Sequence, residues 1–375
     1  MKFIHLSDLH IGKRLNNYSL TEDQRYILEE ILGIAEREKP DGIIIAGDIY
    51  DRTVPSEEAV TVFDDFLVSA SELCRAVFII SGNHDSPERL AFGGRLTEKS
   101  GVYVSPVFNG KISCVTLADE YGEADIYMLP FIKPAHARQF FPEADIKDYT
   151  DAVRTVISNT AVHKERRSIM IAHQFVTGAA EGGSEESIVG GLENVDGSVF
   201  EAFDYTALGH IHRGQNIGGK IRYCGSPLKY SFSEAKHKKS VTVVELKEKG
   251  QVCVSEIPLV PMREVSEIKG TFKEVMDMKS DISPETYLHI TLTDEDDVPN
   301  AFHSLLNVYP NLMKLDYDNM RTRSSGEISS VTENEINDPM LLFERFFEER
   351  SGHGMNSEQQ SYITACIEEL WGGAE

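Results

Sequence analysis

Several residue types and patterns are scarce in this sequence, and each scarcity excludes a class of protein. The 375 residues include only five cysteines, which are scattered and form no Cys-x-x-Cys pair. A disulfide framework or a cysteine-ligated zinc site is therefore not expected. No segment approaches the ~18 consecutive apolar residues of a membrane-spanning helix. The first residues predict a strand rather than a signal peptide. These features together predict a cytoplasmic protein with no membrane partner.

Positive charge is also scarce. Lys and Arg total 37 against 61 Asp and Glu, and the net charge of −24 argues against nucleic-acid binding by bulk charge alone. The sign reverses within residues 213–239, where the basic residues are accompanied by one acid, Glu234. Such a basic segment is most often simply an exposed part of the protein surface. Because it directly follows a His-x-His pair, contact with a phosphate backbone stays open as the alternative.

The first hundred residues alternate apolar strands with amphipathic helices. Buried strands are predicted at 3–6, 42–48 and 76–85, and a capping box from Ser19 to Glu22 predicts the start of the first helix. This order predicts a parallel sheet covered by helices. Later apolar segments predict a second sheet, so the expected fold class is α/β.

The last third of the chain predicts a different organisation. Pro258 and Pro261 indicate a boundary that ends a first domain at residue 257. Residues 258–325 predict a small α+β capping domain. Residues 326–375 predict a polar linker followed by a helical tail. The apolar stripe of this tail is typical either of a local core or of a surface that docks on a partner.

Five predicted strand ends carry residues that commonly bind metals. They are Asp8 with His10, then Asp48, Asn83, His173, and finally His210 with His212. Each one alone is usually turn chemistry or an ordinary core histidine. Together they predict one rim of a sheet that presents oxygen and imidazole ligands without cysteine, a set that suits Mn²⁺ better than structural zinc. Seven donors exceed the needs of one ion, so two ions sharing a carboxylate are expected.

The same residues stand in recognisable motifs. Asp8-x-His10, Gly47-Asp48, Gly82-Asn83-His84, His173 and Gly209-His210-x-His212 resemble the motif set of calcineurin-like metallophosphoesterases. The sequence segments that contain these motifs, such as Leu-Ser-Asp-Leu-His-Ile-Gly and Ser-Gly-Asn-His-Asp-Ser, are similar to those of the SbcD branch of that family. The matching motifs lie within roughly residues 1–230. The remainder of the chain resembles this branch only in its order of segments, a capping domain followed by a helical tail. The resemblance implies a four-layer α/β/β/α metallophosphoesterase sandwich with the small capping domain and helical tail.

The resemblance also implies a role for each site residue. Asp8, His10 and His212 would hold one ion, Asn83, His173 and His210 the other, and Asp48 would bridge two Mn²⁺, with Mg²⁺ as a substitute. His84 would be a general acid beside the scissile phosphate. Asp51 stands where archaeal relatives have a histidine and phosphatase relatives an aspartate. It is expected to hydrogen-bond His84, raise the pKa of its ring and fix its tautomer.

The same resemblance implies that the protein is a nuclease. The implied activities are 3′→5′ exonuclease on duplex ends and endonuclease on single strands and hairpins, in DNA repair, replication and recombination. The implied partners are DNA, an SMC-like ATPase of the SbcC type bound by the helical tail, and a second copy within a heterotetramer associated with a bacterial nucleoid. The candidate DNA-contacting residues are Lys13, Arg14, Arg213, Lys229, Lys236 and Lys238.

Two alternatives stay open from the sequence. One is a metallophosphoesterase for small-molecule or protein phosphoesters that uses the same metal site. The other is a non-catalytic scaffold for DNA ends or for the ATPase, against which the intact ligand set argues. No Gly-x-x-x-x-Gly-Lys-Ser/Thr loop occurs, so ATP would be used by the partner.

Overall fold

The structure, a computed structural model, describes most of the chain up to residue 320 and isolated parts beyond it. The described residues are 1–16, 18–179, 194–296, 298–320, 322, 340, 343–344, 347, 354–356 and 359–364. They fall into two compact units, one made of Met1–Thr291 with Pro299–Asp316, and the other of Leu292–Val298 with Tyr317–Glu375. Among the described helices, none has both the length and the apolar character that a bilayer crossing requires.

The first sheet of the larger unit has six strands, in the order β14 (Val252–Pro258), β13 (Ser240–Leu246), β1 (Lys2–Leu6), β4 (Gly42–Ala46), β5 (Ala76–Ile80) and β6 (Val102–Val104). Four of them run parallel, because the helices α1 and α2 return the chain to the same edge, and β13 and β14 add antiparallel strands. The elements are β1 (Lys2–Leu6), the hairpin β2 (Arg14–Leu15) and β3 (Tyr18–Ser19), α1 (Thr21–Glu38), β4 (Gly42–Ala46), α2 (Glu57–Leu73), β5 (Ala76–Ile80), α3 (Pro87–Leu90), α4 (Gly94–Thr97) and β6 (Val102–Val104).

The second sheet also has six strands, in the order β11-β12-β10-β9-β8-β7. Strands β8, β9, β10 and β12 are parallel, with an antiparallel strand at each edge. The elements are β7 (Ser113–Asp119), β8 (Gly122–Met128), α5 (Pro134–Phe140), α6 (Tyr149–Ser158), β9 (Arg167–His173), β10 (Tyr205–Gly209), β11 (Gln215–Ile217), β12 (Ile221–Tyr223), β13 (Ser240–Leu246) and β14 (Val252–Pro258).

Three apolar clusters separate four layers. Alternate residues of one strand enter different clusters: Ile43 and Ile45 pack with helices α1 and α2, whereas Ile44 packs with the second sheet. On the far side, Val153 and Val156 of α6 pack against the outer face of that sheet. The strands are buried on both faces, which explains their unbroken apolar sequence. The predicted four-layer α/β/β/α sandwich is confirmed.

A smaller three-stranded sheet follows, in the order β15-β16-β17, with β15 (Val265–Gly270), α7 (Phe272–Asp277), β16 (Tyr287–Leu292), α8 (Ala301–Leu306) and β17 (Leu312–Tyr317). Residues 265–317 thus have an α+β composition, and their role as a capping domain stays a prediction. The proposed division at residues 257 and 325 stays a prediction, since the two compact units are divided elsewhere along the chain.

Little of the second unit is described. Within it, the amide of Asp318 donates to the carbonyl of Leu292 at 2.8 Å. Near the end of the chain, Phe343, Phe347, Tyr362 and Ile363 line one apolar pocket, and Gln360 donates to Glu344 at 3.0 Å. The polar linker and most of the predicted tail helices lie outside the described residues.

Candidate metal centre

The predicted metal ligands come together at one rim, where the two sheets meet. Asp8 and His10 follow β1, Asp48 follows β4, and Asn83 follows β5, all at the carboxyl ends of neighbouring parallel strands. His173 ends β9 of the second sheet, and His210 and His212 follow its neighbour β10. Ligands that are 204 positions apart in sequence, from 8 to 212, are thus neighbours because parallel strands share an edge.

The backbone at this rim is unusual. Asp8, His10, Asp48 and His210 have positive φ angles, of 53°, 42°, 52° and 101°. Side chains other than glycine rarely adopt this region, and such conformations concentrate at functional sites. Gly82 is needed for a second reason: a Cβ atom there would collide with the Asp48 carboxylate. The strand ends are therefore shaped to aim these side chains inward.

One half of the rim consists of Asp8, His10 and His212, whose ligand atoms lie within 4.8 Å of one another. The Nε2 atoms of His10 and His212 are 3.0 Å apart. Two neutral ring nitrogens that both present lone pairs repel each other unless a proton or a cation lies between them. The backbone amide of His210 donates to both carboxylate oxygens of Asp8, at 3.0 and 3.2 Å, which holds this carboxylate in place.

The other half consists of Asn83, His173 and His210. The side-chain oxygen of Asn83 is 3.0 Å from Nε2 of His173 and 3.0 Å from Nδ1 of His210. Nδ1 of His173 lies 2.8 Å from the main-chain carbonyl of Ala46, to which it donates. That bond leaves the His173 Nε2 lone pair for a ligand position, as histidines that bind metals usually require.

Asp48 stands between the two halves. Its Oδ2 atom is 3.3 Å from His173 Nε2 and 3.7 Å from His10 Nε2. Its other oxygen, Oδ1, accepts from the backbone amide of His84 at 2.9 Å. A carboxylate in this position can contact both halves at once, which is the bridging role that the family resemblance implies for Asp48.

Burial and neighbouring charges shift the pKa values of the side chains at the centre. Burial lowers the pKa of His10 and brings the pKa of His210 down to about 3. His173 behaves in the opposite way: burial opposes its charge, but the Asp48 carboxylate prevails and raises its pKa to about 9. Burial raises the pKa of Asp8. Without a cation, the Asp48 carboxylate thus favours the protonated form of His173 at neutral pH.

The residues present fit divalent metal binding. Carboxylate, amide and imidazole donors, nearly all buried, converge without cysteine, and Nδ1 of buried His10 has no hydrogen-bond partner among the described residues. Hard oxygen and imidazole ligands of this kind suit Mn²⁺ and similar ions. With metals bound, the close approach of ring nitrogens becomes favourable.

Comparisons with known proteins agree with this geometry. The sequence pattern of the calcineurin-like phosphoesterases matches residues 1–214, and that of the Type 5 capsule protein repressor C-terminal domain (SbcD_C) matches residues 258–351. A protein of Staphylococcus saprophyticus, named as the SbcD component of the nuclease SbcCD, is 31% identical over 379 residues, which is 98% of this chain and 99% of that protein. The chain belongs to the SbcD branch of the calcineurin-like phosphoesterases.

Two further similarities are weaker. The protein of the same name from Staphylococcus epidermidis is 29% identical over 372 residues, which is 97% of each chain. Among solved structures, a dimetal phosphatase from Danio rerio has a TM-score of 0.42 and 12% identity, and covers 70% of this chain and 98% of its own.

His84 lies at the edge of the centre and is partly exposed. Its ring packs edge-on against His10, with centroids 4.8 Å apart. Nδ1 of His84 donates to the main-chain carbonyl of Asp51 at 3.1 Å. The expected hydrogen bond between these residues therefore exists, but the main chain makes it and the Asp51 carboxylate does not.

The Asp51 carboxylate is directed elsewhere. Its Oδ1 atom accepts from Lys13 Nζ at 2.8 Å and lies 3.8 Å from Nδ1 of His10. The predicted effect of this carboxylate on His84 thus needs correction: the proton on His84 is placed by a neutral carbonyl. Lys13, one of the predicted DNA contacts, is engaged in the same ion pair.

Sequence reasoning missed the residues that support His212. Glu234 is fully buried, with Oε1 3.1 Å from His212 Nδ1 and Oε2 2.6 Å from Lys239 Nζ. Burial opposes the charge of this carboxylate, but His212 and Lys239 bring its pKa down to about 2. The one signal in the sequence was that Glu234 is the only acid within a basic run.

Asp85 is a second residue that sequence reasoning passed over. Its carboxylate accepts from the amides of Gly82 at 2.9 Å, Tyr50 at 3.0 Å and Ile49 at 3.1 Å. These bonds tie the segment after β4 to the segment after β5. Burial, with the nearby Asp48 charge, raises the pKa of Asp85 to about 6.

The basic run at 213–239 is only partly a surface feature. Arg222, Lys229 and Lys239 are turned inward and paired with Glu256, Glu264 and Glu234. Arg14, Arg213, Lys236 and Lys238 are exposed. Of the predicted DNA contacts, Lys229 is therefore an internal ion pair, while these four present charge to solvent.

Proposed function

We propose that the protein is a DNA nuclease that hydrolyses phosphodiester bonds with two divalent ions, Mn²⁺ by preference and Mg²⁺ as a substitute. The supporting observation is the convergence of the seven donors with Asp48 between the two halves. Asp8, His10 and His212 would hold one ion, and Asn83, His173 and His210 the other. When bound, such ions polarise the phosphate and supply an activated water.

Proton transfer to the leaving oxygen and orientation of the metal ligands would be the task of the protein's own groups. The Asp51 carbonyl fixes the proton of His84 on Nδ1, so Nε2 is the nitrogen that can carry a second proton to the leaving oxygen. Partial exposure of His84 allows contact with a large substrate. The main-chain amides of His84 and His210 orient the Asp48 and Asp8 carboxylates, which limits rearrangement when substrate binds.

DNA is favoured over small phosphoesters by two observations. The curated relatives named above are called nucleases. The exposed cations Arg213, Lys236 and Lys238 add local positive charge to a strongly acidic chain. The proposed activities are 3′→5′ exonuclease on duplex ends and endonuclease on single strands and hairpins, in DNA repair, replication and recombination.

A gel assay on blunt duplex and hairpin DNA tests the proposal. We expect cleavage with Mn²⁺, none with EDTA, and far slower turnover of p-nitrophenyl phosphodiesters. Equal rates on DNA and the small esters would favour a phosphoesterase for small molecules or proteins. An intact metal centre without cleavage of either substrate would favour a scaffold.

We propose further that the protein works with an SMC-like ATPase of the SbcC type, as a homodimer within a heterotetramer. The relatives' names describe one component of an SbcCD complex. The predicted docking segment is the helical tail, of which residues 340–364 are described only in part. Deleting 336–375 should abolish association with the ATPase and leave Mn²⁺-dependent cleavage of single-stranded DNA. Association that survives the deletion would contradict this assignment.

A further inference from the structure

We propose that Glu234, clamped by Lys239, is a positioning residue that sets the metal affinity of the Asp8, His10 and His212 half alone. The proposal rests on the metal-dependent function above and names the residues that tune it. Neither residue touches substrate in this scheme. Both act through the ring of His212.

The contact between Glu234 and His212 defines which ring nitrogen faces the centre. Glu234 Oε1 lies 3.1 Å from Nδ1 of His212, so Nδ1 donates its proton to the carboxylate. Nε2 is then the lone-pair nitrogen, and it is this atom that lies 3.0 Å from Nε2 of His10. A carboxylate behind an imidazole fixes its tautomer and makes it a stronger donor to a metal.

Lys239 locks this arrangement from two sides. Its ammonium donates to Glu234 Oε2 at 2.6 Å, to the carbonyl of His212 at 2.9 Å and to Ser226 Oγ at 2.7 Å. The same cation therefore holds the supporting carboxylate and the backbone of the histidine it supports. Both residues are buried, so water does not compete with His212 and Lys239 for the carboxylate oxygens of Glu234.

The other half of the centre has a different support. There the described contact behind His173 is a neutral main-chain carbonyl, that of Ala46. Loss of the Glu234 charge should therefore weaken one ion and leave the other unchanged. A buried ion pair that served only folding would affect neither ion once the protein is folded.

The experiment uses the full chain, stripped with EDTA and titrated with Mn²⁺ by calorimetry and by electron paramagnetic resonance. The double variant Glu234→Gln with Lys239→Met replaces the buried pair by neutral side chains of similar size. We expect one of two ions to bind about 10–100-fold more weakly. This should be the same ion that His212→Asn loses, while the second keeps its wild-type affinity.

A matched control is available in the same unit. Asp204 is buried and pairs with Lys249 at 2.9 Å, with no metal-ligand contact among the described interactions of either residue. The double variant Asp204→Asn with Lys249→Met should leave both Mn²⁺ affinities unchanged. Wild-type affinity for both ions in the folded Glu234/Lys239 variant would overturn the proposal, as would equal weakening of both. Absence of any Mn²⁺ binding to the wild type would instead refute the proposed function.

A measurement on the unmodified protein covers the case in which the variant does not fold. Nitrogen-15 resonances of the imidazoles, with His212 assigned by its substitution, report the protonated ring nitrogen. We expect the Nδ1–H tautomer for His212 in the Mg²⁺-loaded protein. An Nε2–H tautomer would contradict the proposal.

Discussion

The two halves of the metal centre are similar in ligand type and different in support. Behind His212 stands a charged pair of side chains, Glu234 and Lys239. Behind His173 stands a main-chain carbonyl of the neighbouring sheet. Side-chain support can be altered by one substitution, whereas a carbonyl is present whatever residue occupies the position. The difference teaches that the two ions need not respond alike to mutation or to pH.

The largest effect should come from the residue that joins the halves. Asp48→Ala removes the carboxylate oxygen that lies between His10 and His173, so both ion positions lose a ligand. We expect DNA cleavage to fall on the order of 10³-fold or more, since metal stabilisation of the transition state is worth several kcal/mol. Mn²⁺ titration should show weakening of both ions. Selective loss of one ion would contradict the bridging role.

A smaller effect is expected from a residue outside both halves. His84→Ala should lower turnover by about 10²-fold, the lower end of the usual contribution of a positioned acid or base. Both Mn²⁺ affinities should stay as in the wild type, because the ring of His84 belongs to neither half. Normal cleavage by this variant would remove the general-acid assignment. Loss of an ion would show that His84 is a ligand.

The halves should also differ in pH dependence. In the metal-free protein the Asp48 carboxylate raises the pKa of His173 to about 9, whereas burial lowers the pKa of His10. A metal entering the His173 half must therefore displace a proton at neutral pH. Because one proton competes with the metal, the affinity of the His173 half for Mn²⁺ should rise about tenfold per pH unit between pH 6.5 and 9. Above pH 9 the affinity should level off.

Calorimetry in buffers of different ionisation enthalpy would count that proton. The ion in the His10 half provides the comparison, since burial lowers the pKa of His10 whereas the Asp48 carboxylate raises that of His173. Equal proton release at both positions would contradict the difference in pKa between the two histidines.

The smallest effect is expected for Asp51→Asn. The carboxylate is 3.8 Å from His10 Nδ1 and pairs with Lys13, while the bond to His84 is made by the main chain and is retained. Because a partly exposed ion pair is worth about 0–1 kcal/mol, cleavage should change by no more than about fivefold. The pH profile of cleavage should keep its shape. If the acidic or the basic limb of the pH profile shifted in this variant, the Asp51 carboxylate would have to act on His84 after all.

Most of the centre could be predicted because its ligands follow a simple rule of sheet geometry. Residues at the carboxyl ends of parallel strands share an edge, so Asp8, Asp48 and Asn83 were placed together by strand order alone. Glu234 could not be predicted in this way. It lies in a short 3₁₀ turn, and only the folded chain brings it to His212.

Local signals failed where tertiary contacts compete with them. Ser19 to Glu22 predicts a capping box, but the helix begins at Thr21, with Leu20 at the cap and no side-chain capping bond. Ser19 pairs with Arg14 in a short hairpin, which takes it out of the capping position. The number of charges in the basic run follows from the sequence. The direction in which its side chains point depends on three acids that only the fold brings close: Glu234 of the 3₁₀ turn, Glu256 of β14 and Glu264 just before β15.

The donors of the centre come from both sheets of the sandwich. Asp8, Asp48 and Asn83 extend from the first sheet, and His173, His210 and His212 from the second. A pair of ions held there would link two layers that are otherwise joined by apolar packing and by a few polar contacts, such as Arg222 with Glu256 and His5 with Tyr205. Ion binding and the packing of the two sheets are then thermodynamically linked. Substitutions that create cavities in the core between the sheets should therefore lower the metal affinity.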